Sequence, residues 1–226
     1  MESNFHFGPA RSGERTAYGA RTPDASLTSI FEWADFMRSQ GVTRVCCLLD
    51  AGQLAGFPVN PEAEYKRLFG ATCVLMEPIA DHHLCSRQAL RGNVLPFLRT
   101  ADTGSERAVI HCWGGNGRTG HVLAAWLVAA RGLSPMEAIE AVEATGRLPR
   151  EAVLAGNATL DELIELLASC EPDRAAYPAS EDESHRGQAE RAAAFGSIGT
   201  EGRRRGTEGF GYQTGRRPTT AETVGF

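Results

Sequence analysis

The segment His111-Cys112-Trp113-Gly114-Gly115-Asn116-Gly117-Arg118-Thr119-Gly120 leaves the chain few folds to choose from. It follows Ala108-Val109-Ile110, short and β-branched like a buried strand, and precedes an apolar helical pattern from Val122 to Ala130. The segment is therefore a strand-to-helix turn. Gly114, Gly115 and Gly117 adopt at low cost the backbone angles that let successive N–H groups converge on one point. The helix that follows adds its own N-terminal amides and the positive end of its dipole. The outcome is an anion nest suited to a dianionic phosphoryl group.

Cys112 opens this nest and Arg118 closes it. A thiol at a helix N-terminus beside a cation is favoured as its thiolate, the better nucleophile. Arg118 can grip two phosphate oxygens with a planar fork, which a lysine would meet only as a point charge. A nucleotide-binding glycine loop needs a lysine before its hydroxyl residue, and none precedes Thr119; Lys66, the single lysine of the chain, lies elsewhere. The cluster His82-His83-x-Cys85 lacks partners at a second spacing, so no metal is expected there. It reads instead as a loop that helps to recognise substrate.

The pattern His-Cys, five residues, Arg-Thr resembles the signature of the cysteine-dependent protein tyrosine phosphatases, and the short chain resembles their dual-specificity branch. Glu77-Pro78-Ile79-Ala80-Asp81 follows the apolar run Cys73 to Met76, about thirty residues upstream of the cysteine, where that family carries its general acid. The two motifs together are similar to phosphatases associated with cyclin-dependent kinases, and the resemblance runs from about Phe7 to Ala168. It implies Cys112 as the nucleophile and Arg118 as the phosphoryl-binding group. Asp81 would protonate the leaving oxygen and later activate water. Thr119 would support the cysteine sulfur as it leaves, and His111 would order the loop structurally. Trp113, Gly114, Gly115, Asn116 and Gly117 would bind substrate with Arg118, with Trp113 either walling the pocket or packing on the sheet. Asp50, at the end of the run Val45 to Leu49, is a rival acid without the Pro-Ile context. The glutamine that positions water in many relatives has only Asn157 as a counterpart. A protective disulfide to Cys112, known among relatives, would draw on Cys46 or Cys47, of which at most one can face the site because side chains alternate along a strand.

The rest of the chain alternates strand and helix signals. A strand is expected over Thr16 to Ala20, then a helix capped by Ser26 with Leu27, Ile30, Phe31, Ala34 and Met37 on one face, ended by Gly41. Thr43 to Leu49 is a strand, Asn60-Pro61 opens a helix that Gly70 closes, and Thr72 to Met76 is the next strand. A helix from Ser86 to Arg99 is weakened by Gly92 and Pro96. Ser134-Pro135-Met136-Glu137 is a capping box for a helix to about Thr145, and Leu160 to Ala168 is a last amphipathic helix. This order implies an α/β fold: a mostly parallel central sheet flanked by helices on both faces, with the nest at the carboxyl end of a central strand.

Residues 1–171 are expected to form the catalytic domain, and residues 172–226 a disordered tail. That tail holds nine glycines, eight acidic and eight arginine residues with scattered apolar ones, too few to offset the entropy of ordering. Arg203-Arg204-Arg205 is its basic run. A net charge of −5 argues against a nucleic-acid partner held by phosphate contacts. The six cysteines show no disulfide-framework spacing, and the N-terminus has no apolar leader. A cytoplasmic, monomeric, cofactor-free enzyme without membrane contact is expected, acting on a phosphorylated protein. Two other readings stay open: the same chemistry on a phosphoinositide, nucleotide or RNA end, and an inactive phosphoprotein-binding module.

Overall fold

Apolar residues that alternate along the strands need cover on both faces of the sheet, and the helices supply it. The computed structural model describes residues 5–171; the expected tail over 172–226, with Arg203-Arg204-Arg205, lies outside the described residues. The elements run β1 (Gly8–Pro9), β2 (Ala17–Arg21), α1 (Leu27–Ser39), β3 (Val42–Cys47), α2 (Ala51–Ala55), α3 (Pro61–Phe69), β4 (Val74–Met76), α4 (Arg87–Ala89), α5 (Leu95–Thr103), β5 (Arg107–Cys112), α6 (Gly117–Arg131), α7 (Pro135–Glu143), α8 (Glu151–Leu154) and α9 (Leu160–Ala168). The five strands lie in the order β1-β2-β5-β3-β4. All neighbours pair in parallel except β1 with β2. β5, which ends in Cys112, is the central strand, as expected.

Side-chain alternation sorts the core into two layers. Ala108, Ile110 and Cys112 of β5 share a cluster with Cys46, Trp126 of α6, Ile139 of α7 and Leu163 of α9. Val109 points the other way, with Cys47, Ile30 and Trp33 of α1 and Tyr65 of α3. Cys46 and Cys47 thus occupy opposite faces, and all six cysteines are free thiols. Burial pushes the Cys46 thiol well up and that of Cys47 to about 12.

The local signals held where they were chemically explicit. The Ser26, Asn60 and Ser134 side chains each accept from a first-turn N–H, and Ser134–Glu137 forms both halves of its capping box; Thr159 caps α9 in the same way, a cap the sequence reading did not name. Such a cap contributes about 1 kcal/mol. Other expectations need correction. Leu27 is 39% exposed, and the buried face of α1 holds Trp33 instead. The helix expected over Ser86 to Arg99 forms with Ser86 as its cap and runs on to Thr103, but it is not regular: α4, a wide π-type turn over Leu90–Val94 and α5 follow one another without a gap. Pro96 has no N–H to offer the carbonyl four residues back, that of Gly92, so the regular ladder cannot close there. α6 begins at Gly117, inside the signature, five residues before the apolar pattern suggests. α2 and α8 are too short to leave a periodic signal.

Candidate active site

Strand β5 delivers Cys112 to the start of α6, and the loop between them turns at Gly115, whose φ is +73°. Its backbone runs against strand β2: a Cβ at Gly115 would lie 2.5 Å from the Ala20 carbonyl oxygen. Only glycine fits this turn. Behind it Arg147, almost fully buried, donates to the carbonyls of Gly115 (2.6 Å), Gly19 (2.8 Å), His6 (2.9 Å) and Gly8 (3.3 Å). Burial, with no carboxylate partner among the described residues, pulls the Arg147 pKa down to about 10. Gly115, expected among the substrate-binding residues, therefore anchors the rear of the loop and does not line the cavity.

In front, a cavity of about 240 Å³ is lined by Cys112, Trp113, Gly114, Asn116, Gly117 and Arg118 of the signature, with Asp81, His82 and Glu151 from other elements. Cys112 is 3% exposed at its floor. Thr119 Oγ1 donates to Cys112 Sγ at 3.2 Å. Arg118 is buried and locked: its Nη1 donates to Gln53 Oε1 (2.7 Å), Ile79 O (3.0 Å) and Leu48 O (3.4 Å), and its Nη2 lies 2.8 Å from Asp81 Oδ1. Arg118 Nε is buried without an acceptor among the described residues. A buried N–H in that state calls for a partner, and a phosphoryl oxygen would supply one. Trp113, 50% exposed, stands at the rim and does not pack into the sheet.

Each expected residue can now be placed. Cys112, Arg118, Thr119 and Asp81 come together. Asp50 does not; it caps α2 by accepting from Gln53 N at 2.9 Å. His111 packs its ring against Trp33 and Tyr65 with centroids 5.1 and 5.5 Å away, on the face opposite the cavity. Burial, and then the Arg118 charge, lowers its pKa to about 3. Asn157 lies outside the cavity and donates to His82 O at 3.0 Å. Glu151 reaches the cavity as a second carboxylate beside Asp81, packed so closely on Gly117 that any side chain there would overlap it. His82 stands between two acids, 3.7 Å from Asp81 and 3.7 Å from Glu151. Among the described residues no group of three or more His, Cys, Asp or Glu is placed to hold a metal ion.

Sequence reasoning also missed His121. Buried in α6, it accepts from Cys85 N at Nε2 (3.0 Å), so its Nδ1 carries the proton facing Gly117 O at 3.2 Å. This neutral ring ties the segment after Asp81 to the start of α6. Burial lowers its pKa to about 4.

Residues 35–160 match the family described as PTP-SAK, the Swiss Army Knife protein DSP-PTPase phosphatase domain. The chain belongs to this family. It is a cysteine-dependent phosphatase of the protein tyrosine and dual-specificity superfamily. Among solved structures, Tk-PTP in its active form is 27% identical, with a TM-score of 0.54 over 73% of this chain and 99% of that one. The fold is shared with kinase associated phosphatase carrying a serine at its catalytic cysteine (19% identity, TM-score 0.56, 72% of this chain and 98% of that one). It is shared too with PTPMT1 in complex with PI(5)P (16% identity, TM-score 0.55, 82% and 98%). No curated protein matches the sequence. No helix among the described residues is long and apolar enough to cross a membrane.

Proposed function

We infer that the protein hydrolyses phosphotyrosine, and phosphoserine or phosphothreonine, in protein substrates through a cysteinyl-phosphate intermediate. One observation carries this reading: Cys112 and Arg118 of the signature loop and Asp81 from a separate stretch of chain converge on a single small cavity, with Thr119 bonded to the Cys112 sulfur. In the first step the Cys112 thiolate attacks phosphorus, the bond from phosphorus to the ester oxygen breaks, and Asp81 gives its proton to that oxygen. Arg118 and the loop amides hold the three equatorial oxygens, a preorganised charge complement in a site shielded from water. In the second step Asp81, now a carboxylate, takes a proton from water. The resulting hydroxide attacks phosphorus, the sulfur–phosphorus bond breaks, and Thr119 stabilises the thiolate that returns.

Asp81 is engaged with Arg118 in this structure. Incoming phosphate oxygens take over that donor and free the carboxyl for the leaving group. A protein substrate is favoured over a polyanionic headgroup because the loop between Cys112 and Arg118 has no cationic side chain. The cavity wall also carries two carboxylates, Asp81 and Glu151. The exposed Trp113 ring offers an aromatic side chain something to pack against. Cys112→Ser should abolish turnover yet keep phosphopeptide binding, and acid-quenched wild-type protein should carry phosphate on Cys112. Turnover by the serine variant, or faster hydrolysis of phosphoinositides than of phosphopeptides, would overturn the respective half of this reading.

A further inference from the structure

A second cavity, larger than the catalytic one, is lined by other residues. It measures about 620 Å³ and lies where β2 and β5 begin, with Thr16 and Arg107 on its wall. Cys112 lies at the other end of β5. At about 3.3 Å per residue the strand separates the two by roughly 17 Å.

The floor of this cavity is a closed network. Arg131 donates to Glu14 from Nε and Nη2 (3.0 Å each) and to Asp102 from Nη1 (3.1 Å) and Nη2 (2.6 Å). Glu14 also accepts from Thr16 N (3.0 Å) and Trp126 Nε1 (3.3 Å), and Asp102 from Thr16 Oγ1 (2.6 Å). These bonds hold the pKa of both carboxylates below their usual range, so both stay charged and their acceptors are used. One cation among two anions leaves the floor with a charge of −1. Three further arginines, Arg11, Arg15 and Arg107, line the cavity and bring it to +2, on a chain whose net charge is −5. Arg107 donates to Gln40 O at 2.6 Å and lies over the Tyr18 ring. Arg11 and Arg15 have no carboxylate partner among the described residues, and Arg11 Nε is buried without an acceptor.

A buried guanidinium donor without a partner needs explaining. Among the described residues no apolar side chain lines this cavity, which removes the usual reason for a hydrophobic ligand or peptide anchor to settle there. Its volume suits a small molecule, and several separated guanidiniums suit several linked anionic groups better than one. We propose that this cavity is a second, non-catalytic site that binds a small polyphosphate, with Arg11 and Arg15 as its principal ligands.

The test is calorimetric titration of the full chain with inorganic triphosphate, the catalytic cavity being saturated with orthovanadate. Triphosphate should bind saturably below millimolar concentration, at least tenfold tighter than orthophosphate, and more weakly as sodium chloride rises from 50 to 300 mM, as about a Debye length of screening requires. Arg11→Ala/Arg15→Ala should weaken it at least tenfold while kcat/KM on a small aryl phosphate stays within twofold. Arg15→Ala alone, a surface change, should weaken it at least threefold and serves if the double variant does not fold. ATP binding as tightly as triphosphate would identify the phosphate chain as the recognised part; tighter binding of ATP would add its nucleoside. Absence of saturable binding, unchanged affinity in the arginine variants, or equal affinity for orthophosphate would overturn the proposal.

Discussion

Replacing Gly115 with alanine tests whether the backbone path of the loop, apart from its side chains, carries catalysis. Gly115 sits at φ +73°, where a side chain costs about 1–2 kcal/mol. The added Cβ would lie 2.5 Å from Ala20 O and 2.6 Å from its carbonyl carbon, against 3.4 Å for ordinary contact. Both parties are backbone, so no rotamer relieves the clash, and the loop must retreat by close to 1 Å. A displacement of about that size at a reacting centre costs on the order of 10²-fold in rate. The expected result is a fall of about 10²-fold in kcat/KM on an aryl phosphate. Thermal unfolding should drop by roughly 2–8 °C, from 1–2 kcal/mol at about 2–4 °C each. Gly132, at φ +68° with nothing within 4 Å of its added Cβ, supplies the comparison. Gly132→Ala should show a similar thermal loss with activity within twofold of wild type. Full activity in Gly115→Ala, or an equal activity loss in both variants, would refute the reasoning.

Further expectations concern single groups. Asp81→Ala should lower kcat by about 10²–10⁴-fold on poor leaving groups and far less on very good ones; a uniform loss across a leaving-group series would assign the proton to another residue. Arg118→Lys keeps the charge but loses the fork and abandons the Leu48, Gln53 and Ile79 acceptors, so kcat/KM should fall by at least about 10²-fold, and near-normal kinetics would show that charge alone suffices. His111 and His121 titrate in the unfolded chain near 6.5 but, folded, only near 3 and 4. The unfolded state therefore takes up protons first, and stability present above pH 6.5 is lost as pH falls toward 4. At pH 5 each histidine should account for about 2 kcal/mol of loss relative to pH 8, read from urea midpoints; identical midpoints at the two pH values would contradict their burial as neutral rings.

Elements with local chemical signals were legible in the sequence. The Ser134-x-x-Glu137 box needs only neighbours along the chain, and α9 was read to its exact ends from its apolar period, although its Thr159 cap went unread. The signature loop with Cys112, Arg118 and Thr119 was legible for the same reason, as its chemistry lies within ten residues. Gln53, His121, Glu151 and Arg147 were not. Each works through a contact made by the fold: Gln53 reaches Arg118 from a five-residue helix, and Arg147 meets a carbonyl of the signature loop across 32 positions. No spacing rule flags such pairs. Asn157 misled because resemblance pointed to an amide, whereas the four-residue helix α8 presents Glu151 to the cavity.

Arg147 joins parts of the chain that sequence keeps far apart. The guanidinium that supports the Gly115 carbonyl is completed by carbonyls from residues 6, 8 and 19, and the His6 ring lies 3.4 Å from the carbonyl oxygen of Gly114. Removing His6 and Gly8 would strip acceptors from a charge that has no carboxylate partner among the described residues. A change at either residue would thus be transmitted to the phosphate cradle through a single guanidinium.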